Sequence, residues 1–484
     1  MMQVFNSLPK RLESFTPQED GRVLMYVCGL TPYDSAHIGH ARTYVSFDVL
    51  KRYLIKKGLS VYHIQNITDV DDKIIKRCRE TGADPKRLTE ENHGEALELF
   101  GKLHILPADV YPKVTENIPA IIDMISRLIE RGHAYETDSG VYFSISAFRP
   151  YGALSGQNLE EIRAGARVEV DESKKDPADF AVWKKTKCEI VEFDSPWGRG
   201  RPGWHIECSA MSYKYAKRTL DIHGGARDLI FPHHENEIAQ SEAALGEKFC
   251  KYWLHTGFLT VGGEKMSKSL GNFITLKQAL SQTSPNSMRL FYLQAHYRSP
   301  LDYDAENMAA MEESVERIFN SIGLIREVCD KAGHSHHDSA FRQKTDELIS
   351  SFHTHMENDL NTPEAIASLF SLLRLLNSHI EGQSHDREQL LKAKKAIGDM
   401  LWILGLEEEV RGLDEKADAI ILLASELGAG NAADAATALE MIVALRETAR
   451  KGKDYEKSDL IRAKLKGIGI VLEDKAGGIR WKIA

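Results

Sequence analysis

Two short stretches carry side chains suited to phosphate. Residues 31–40 read Thr-Pro-Tyr-Asp-Ser-Ala-His-Ile-Gly-His, and residues 265–269 read Lys-Met-Ser-Lys-Ser. Imidazoles at His37 and His40, placed where a strand hands over to a helix, can donate hydrogen bonds to charge developing on an α-phosphate and its bridging oxygen. Gly39 has no β-carbon, so a nucleoside can approach the backbone closely. Lys265 and Lys268 end in compact ammonium charges suited to triphosphate oxygens. Glycines at 262, 263 and 271 flank them and predict a mobile loop. Such lysines accelerate chemistry when their contacts strengthen in the transition state. Either stretch alone also fits a glycine-containing helix start or a basic surface loop. Both together, in this order, point to ATP-dependent chemistry.

A third group of residues has metal-ligand character. In Phe-Pro-His-His-Glu-Asn-Glu, residues 231–237, His233 and Glu237 are four apart and share one face of a predicted helix. Cys28 closes the first predicted strand, and Cys208 stands in the stretch Trp204-His-Ile-Glu-Cys208-Ser-Ala-Met211. Two cysteines, a histidine and a glutamate form a donor set that Zn²⁺ accepts. The separation of 180 positions between the two cysteines leaves spacing alone uninformative. The six cysteines, at 28, 78, 188, 208, 250 and 329, are scattered and form no Cys-x-x-Cys pair, so reduced thiols are expected.

The elements that must position these groups follow from the hydrophobic pattern. Val-Leu-Met-Tyr-Val at 23–27, closed by Cys28 and Gly29, predicts a buried strand ending in a turn. Val45, Val49, Leu50, Tyr53 and Leu54 recur at helical spacing over 41–57, and Gly58 is a natural stop. A second strand over 61–67 completes a β-α-β unit. Residues 219–225 predict a later strand, Pro232 opens a predicted helix running to about 245, and 252–259 predict another strand. A helix over 119–131 and a β-like stretch at 140–143 fall in an insertion that splits the sheet. Residues 304–405 read as almost wholly helical, with Leu369, Phe370, Leu372, Leu373, Leu375 and Leu376 forming a broad apolar face. A charged linker is predicted at 407–416, then helices near 433–450 and 454–466 and a hairpin of 468–474 with 478–483.

Beyond these elements, the chain resembles the cysteinyl-tRNA synthetase family of class I aminoacyl-tRNA synthetases. The residues that carry the resemblance are Gly29-Leu-Thr-Pro-Tyr-Asp34, Asn66-Ile-Thr-Asp-Val-Asp-Asp-Lys73, Gly203-Trp-His-Ile-Glu-Cys-Ser-Ala-Met211 and Asp221-Ile-His-Gly-Gly225. The stretches 231–237, 265–272, Asp359-Leu-Asn-Thr-Pro363 and Leu472-Glu-Asp474 extend it over essentially the whole chain. The resemblance implies an α/β fold: a Rossmann-like doubly wound parallel sheet with an inserted connective domain, then an α-helical bundle and a small C-terminal α+β domain. The segments expected are 1–117 and 204–262 for the two catalytic halves, 118–203 for the insertion and 263–310 for the lysine loop and stem-contact region. A tRNA-binding bundle over 311–406 and an anticodon-binding domain over 414–484 complete them.

The implied reaction is ATP-dependent activation of L-cysteine to cysteinyl-adenylate, followed by transfer to the 3′ end of tRNA-Cys. His37, His40 and Lys268 are the implied catalytic residues, with Gly39 and Lys265 joining them in binding ATP. One Zn²⁺ per chain, held by Cys28, Cys208, His233 and Glu237, is implied as the group that recognises substrate thiolate. The thiolate would add as a fifth ligand or displace one of the four. Mg²⁺ is expected with ATP. Gly29, Thr68, Trp204 and Asp228 are implied substrate-pocket residues. His234 reads as a packing residue or a neighbour of the ligand shell. The carboxylates Asp69, Asp71 and Asp72 read as helix N-terminal acids rather than a magnesium site.

Composition sets outer bounds. At 484 residues, 42% apolar and 27% charged, the chain reads as a multidomain globular protein. No apolar run approaches membrane-spanning length and the N-terminus lacks a secretory pattern, so a cytoplasmic location without membrane partners is expected. A formal charge of −9 argues against indiscriminate nucleic-acid binding. Residues 446–484 nevertheless carry eleven Lys/Arg against six Asp/Glu, a basic end suited to a polyanion or a solvated helix face. Nothing in the sequence suggests an obligate dimer, and a monomer is expected. The rivals are a cysteine ligase of mycothiol biosynthesis, which shares the catalytic half but lacks a full anticodon-binding end, and a catalytically silent zinc or tRNA-binding module.

Overall fold

The computed structural model describes residues 2–158, 173–186, 189–266, 271–330, 337–382, 386–408, 416–430, 432–475 and 478–483. The chain forms two compact units, Met1–Glu407 and Glu408–Ala484. In the first unit a parallel sheet of four strands runs in the order Cys250–Thr256, Leu220–Ala226, Arg22–Leu30, Ser60–Ile67. The chain leaves Arg22–Leu30 toward one neighbour and returns much later on its other side. The crevice beyond the carboxyl ends of Arg22–Leu30 and Leu220–Ala226 is therefore a topological switch point, where open α/β sheets bind ligands.

Alternation along Arg22–Leu30 divides the core. Val23, Met25 and Val27 pack into a cluster with Val45, Val49 and Leu50 of helix Ile38–Lys56 and with the later helices. Leu24, Tyr26 and Cys28 face the other way, against Ile121 and Ile125 of Ile118–Glu130, Met211 of Trp204–Ala216 and Ile238 of Glu235–Leu245. Both faces are covered, so the strand reads as one apolar run rather than an alternating one. Part of the insertion forms a separate antiparallel sheet of Ala134–Glu136, Gly140–Phe143, Phe180–Lys185 and Gly200–Pro202.

Several elements differ from their sequence-based bounds. The strand expected at 23–27 runs from Arg22 through Cys28 and Gly29 to Leu30, because Leu30 pairs again with Ile67 beyond an irregularity after Val27. A β-carbon on Gly29 would lie 1.6 Å from the Asn66 carbonyl oxygen, so glycine here permits close strand approach rather than a turn. The helix expected from Pro232 begins at Glu235; Phe231 has extended backbone angles, which keep Ile230–His234 from continuing it as regular α-helix. The expected 252–259 strand ends at Thr256, and Leu259–Val261 pairs instead with Leu301–Tyr303.

Helices Ala305–Asp330, Ser339–Glu357, Thr362–Ile380 and Arg387–Leu404 follow. Their junction with the catalytic sheet is polar and fully buried. Asp48 of Ile38–Lys56 accepts from Arg52 Nε at 2.8 Å and from the Leu106 amide at 2.8 Å, and pairs with Arg289. Arg52 Nη1 donates to the Trp402 carbonyl at 3.0 Å, and Arg289 Nε donates to that of Leu404, so two cations meet the carboxyl end of Arg387–Leu404. The second unit has its own core of Ile420, Leu423, Leu439, Ile442, Ile461, Leu465, Ile470 and Leu472. It includes helix Ala417–Glu426, which short length and a flanking charged run hid from the periodicity argument. Among the described residues no helix is long and apolar enough to cross a membrane.

Removing one charge from the buried Asp48 hub strands two guanidinium groups. Asp48→Asn is expected to lower stability by about 3–5 kcal/mol or to prevent folding, read as the urea midpoint of the purified chain. An unchanged midpoint would contradict the hub's role.

Candidate active site

At the switch point lies a cleft of about 330 Å³. Cys28, Gly29, His37, Gly39, His40, Trp204 and Asp228, all singled out from sequence, line it. Thr68 does not; it is buried, accepts from Asn66 Nδ2 at 3.2 Å and donates to Glu207 Oε2 at 3.3 Å. Asn66 Oδ1 in turn accepts from the Gly29 amide at 2.8 Å, so Thr68 braces the cleft floor from behind Gly29. Lys73, Tyr33 and Met266 also face the cleft. Lys268 and the side chain of Lys265 lie outside the described residues.

His37 is the N-cap of helix Ile38–Lys56. Its Nδ1 accepts from the amides of Gly39 at 3.1 Å and His40 at 3.3 Å, while His40 Nδ1 accepts from the His37 amide at 3.3 Å. The two rings stack with centroids 3.5 Å apart. A ring nitrogen that accepts cannot carry the proton, so this reciprocal cap assigns both imidazoles to the Nε2–H tautomer. Burial, with His37 beside it, holds His40 well below the ordinary imidazole pKa. His40 is thus a neutral hydrogen-bond donor at the mouth of a helix.

The four sequence-predicted metal donors converge. One ligand atom each from Cys28, Cys208, His233 and Glu237 lies within 4.8 Å of all the others, and all four residues are buried. Cys28 comes from strand Arg22–Leu30, Cys208 from Trp204–Ala216, and His233 and Glu237 from the turn and first residues around Glu235–Leu245. His233 Nε2 is 3.0 Å from Glu237 Oε1. Cys28 Sγ is 3.7 Å from the same oxygen. Glu237 Oε2 is buried with no hydrogen bond. Burial pushes the Cys28 thiol and the Glu237 carboxyl well above their ordinary pKa values. Cys208 is drawn down to about 7, first by a hydrogen bond from Cys28. Buried thiols and a carboxylate with an orphaned oxygen fit a divalent cation, which would stabilise their deprotonated forms.

Four further histidines surround the cluster. Cys28, His223, His234 and Glu237 form a second donor set of the same compactness. His234 Nε2 is 3.2 Å from Cys28 Sγ, and its Nδ1 is 2.8 Å from His255 Nε2. His205 Nδ1 is 2.8 Å from His233 Nδ1. Burial holds His205, His223 and His234 well below the usual imidazole pKa, so all three are neutral. Strand register carried the missed signal: His223 pairs with Tyr26, two residues from Cys28, and His255 pairs with Gly225. Trp204, 40% exposed, lays its ring 4.3 Å from that of His233 between cluster and cleft.

The acidic run is structural. Asp71 caps Asp72–Thr81 through the Lys73 amide at 2.8 Å, Asp69 accepts from the Thr115 amide at 3.0 Å, and Asp72 pairs with Lys184 at 3.0 Å. Asp71 and Asp72 stand at the helix N-terminus as expected, whereas Asp69 lies before it and is held by Thr115; the three carboxylates have separate partners.

Burial favours the protonated forms of Cys28 and Glu237, so a cation taking both as ligands would displace protons. Apparent Zn²⁺ affinity is therefore expected to rise as pH rises between about 6 and 8, measured by competition with a chromophoric chelator. A pH-independent affinity would contradict binding by these donors.

Comparison with known proteins agrees with this architecture. Residues 14–313 match the family described as tRNA synthetases class I (C) catalytic domain, and residues 351–408 match the DALR domain. A cysteine–tRNA ligase of Thermococcus onnurineus is 46% identical over 490 residues, covering 99% of each chain. That of Desulfitobacterium hafniense is 44% identical over 487 residues, covering 100% of this chain and 99% of its own. Mycobacterium tuberculosis methionyl-tRNA synthetase bound by methionyl-adenylate shares the fold, with a TM-score of 0.62 at 15% identity over 84% of this chain and 94% of its own. The chain belongs to the cysteine–tRNA ligase family of class I aminoacyl-tRNA synthetases.

Proposed function

We propose that the protein condenses L-cysteine with ATP to cysteinyl-adenylate, releasing pyrophosphate, and transfers the cysteinyl group to the 3′ end of tRNA-Cys. One Zn²⁺ per chain, held by Cys28, Cys208, His233 and Glu237, selects the substrate. The observation that carries this reading is the double position of Cys28, which belongs both to the metal-compatible cluster and to the wall of the cleft holding His37 and His40.

Cysteine and serine are close in size, and a pocket working by shape alone separates such pairs poorly. Bound in this cluster, Zn²⁺ supplies a soft acceptor for a thiolate that serine cannot provide. The chain's own residues then position the reaction. The Nε2–H groups of His37 and His40 meet charge building on the α-phosphate as the cysteine carboxylate attacks in line. Lys265 and Lys268 hold the departing pyrophosphate, and Mg²⁺ accompanies ATP. Asp228, exposed on the cleft, offers a carboxylate to the substrate ammonium, while Gly29 and Trp204 shape the pocket and Thr68 supports it indirectly. Residues 263–310 serve as stem-contact region, 311–406 as tRNA-binding bundle and 414–484 as anticodon-binding domain. The same reading takes the protein as a cytoplasmic monomer.

Cysteine-dependent exchange of pyrophosphate into ATP, followed by charging of purified tRNA-Cys, tests the proposal. Absence of exchange would refute adenylate formation; exchange without charging would favour the amino-sugar ligase. Cys208→Ser is expected to lose most bound zinc and to raise KM for cysteine by about 10–100-fold, with KM for ATP little changed. Wild-type zinc content in that variant would remove Cys208 from the ligand set.

A further inference from the structure

Arg42 sits two residues beyond His40 on helix Ile38–Lys56 and is almost fully buried. Its Nη1 donates to the carbonyl of Phe258 and its Nη2 to that of Ser299. Its Nε is buried without a hydrogen bond. Among the described residues no carboxylate acts on it; burial lowers its pKa to about 10, and only Tyr292 opposes this. The group remains a cation at neutral pH, dissolved in backbone carbonyls. Such a buried, unpaired charge is expensive, and an apolar side chain would fill the space at lower cost. What the planar fork supplies is a bridge between two carbonyls on separate segments.

Both segments belong to the far wall of the cleft. Gly257 and Phe258 line it, and they lead into Leu259–Val261, whose antiparallel partner is Glu264–Lys265. The Gly257 amide donates to the Tyr297 carbonyl at 2.8 Å, and a β-carbon on Gly257 would lie 2.3 Å from the Ser299 oxygen that Arg42 holds. The Phe258 carbonyl also accepts from the Leu301 amide at 3.0 Å, which opens the pairing of Leu259–Val261 with Leu301–Tyr303. From the same helix, Thr43 Oγ1 meets Thr256 Oγ1 at 3.0 Å. Behind Ser299, Tyr297 and Arg298 are fixed to Asp359 at 2.8 and 2.7 Å.

We infer that Arg42 is a positioning residue for the nucleotide: it fixes the separation between the His37/His40 helix and the facing wall at residues 257–259. This rests on the adenylate-forming reading above. The role is directed at ATP because the wall that Arg42 holds runs on into the lysine element. The thiol-selecting cluster is built from Cys28, Cys208, His233 and Glu237, none of which touches Arg42.

The test compares the full-length wild type with Arg42→Lys, Arg42→Met and Gly257→Ala in pyrophosphate exchange, varying ATP and cysteine separately. Bound zinc and thermal midpoint are recorded alongside. A lysine keeps the charge but reaches only one carbonyl, and Gly257→Ala pushes the same joint apart without altering charge. Both are expected to raise KM for ATP about tenfold or more, since displacement of about 1 Å at a reacting site can cost 10²-fold. KM for cysteine should stay within about twofold and zinc content should match the wild type. Equal rises in both KM values, or wild-type kinetics in Arg42→Lys, would overturn the inference; if Arg42→Met does not fold, the other two variants decide. Wild-type protein that shows no exchange would remove the reaction on which both proposals rest, whereas exchange with unaltered variant kinetics would remove only the role of Arg42.

Discussion

Everything at the active site depends on the two-residue alternation of the strand Arg22–Leu30. One set of its side chains enters the core shared with helix Ile38–Lys56 and the bundle; the other, ending at Cys28, enters the core shared with the helices that bring Cys208 and Glu237. A slip of one residue would exchange the faces and turn Cys28 away from its partners. Register is fixed by parallel pairing on both sides, with Met25, Tyr26 and Val27 each opposed on two strands. The metal-compatible cluster is in this sense a property of strand pairing, and the candidate ligands from later segments are aimed at a point that the strand defines.

The nucleotide side has a comparable economy. A helix start leaves amides unpaired, and here the side chains that cap them are the imidazoles proposed to meet phosphate. Capping fixes ring orientation and proton position in one arrangement. Further along the same helix, Arg42 and Asp48 tie it to the cleft wall and to the bundle. A single helix thus carries the groups proposed to meet phosphate, the joint to the opposite wall and the polar junction with the helical bundle.

Much of this was legible in the residues. Apolar runs and glycine stops located Arg22–Leu30, Ile38–Lys56 and Ser60–Ile67 to within a few residues, because these elements are buried and strongly patterned. The pair His233 and Glu237 was visible from spacing, although the turn holding His233 is not regular α-helix. What sequence could not supply were relations across strands. The close contact at Gly29 and the ring of His205, His223, His234 and His255 depend on register and packing between distant segments. Arg42 shows the same limit. In sequence it is an ordinary basic residue in a helix, and its meaning comes from two carbonyls more than two hundred residues away.

The reciprocal cap at His37 and His40 has an electrical consequence. With each Nδ1 occupied as an acceptor, the pair would offer the proposed nucleotide oriented Nε2–H dipoles. Dissolved salt screens the field of ammonium groups strongly over about 8–10 Å but leaves short dipolar contacts inside a half-buried cleft nearly untouched. On the proposed reading, the hold on ATP divides between an ionic-strength-sensitive lysine side and a salt-tolerant histidine side, and the latter stays in place when the former is weakened.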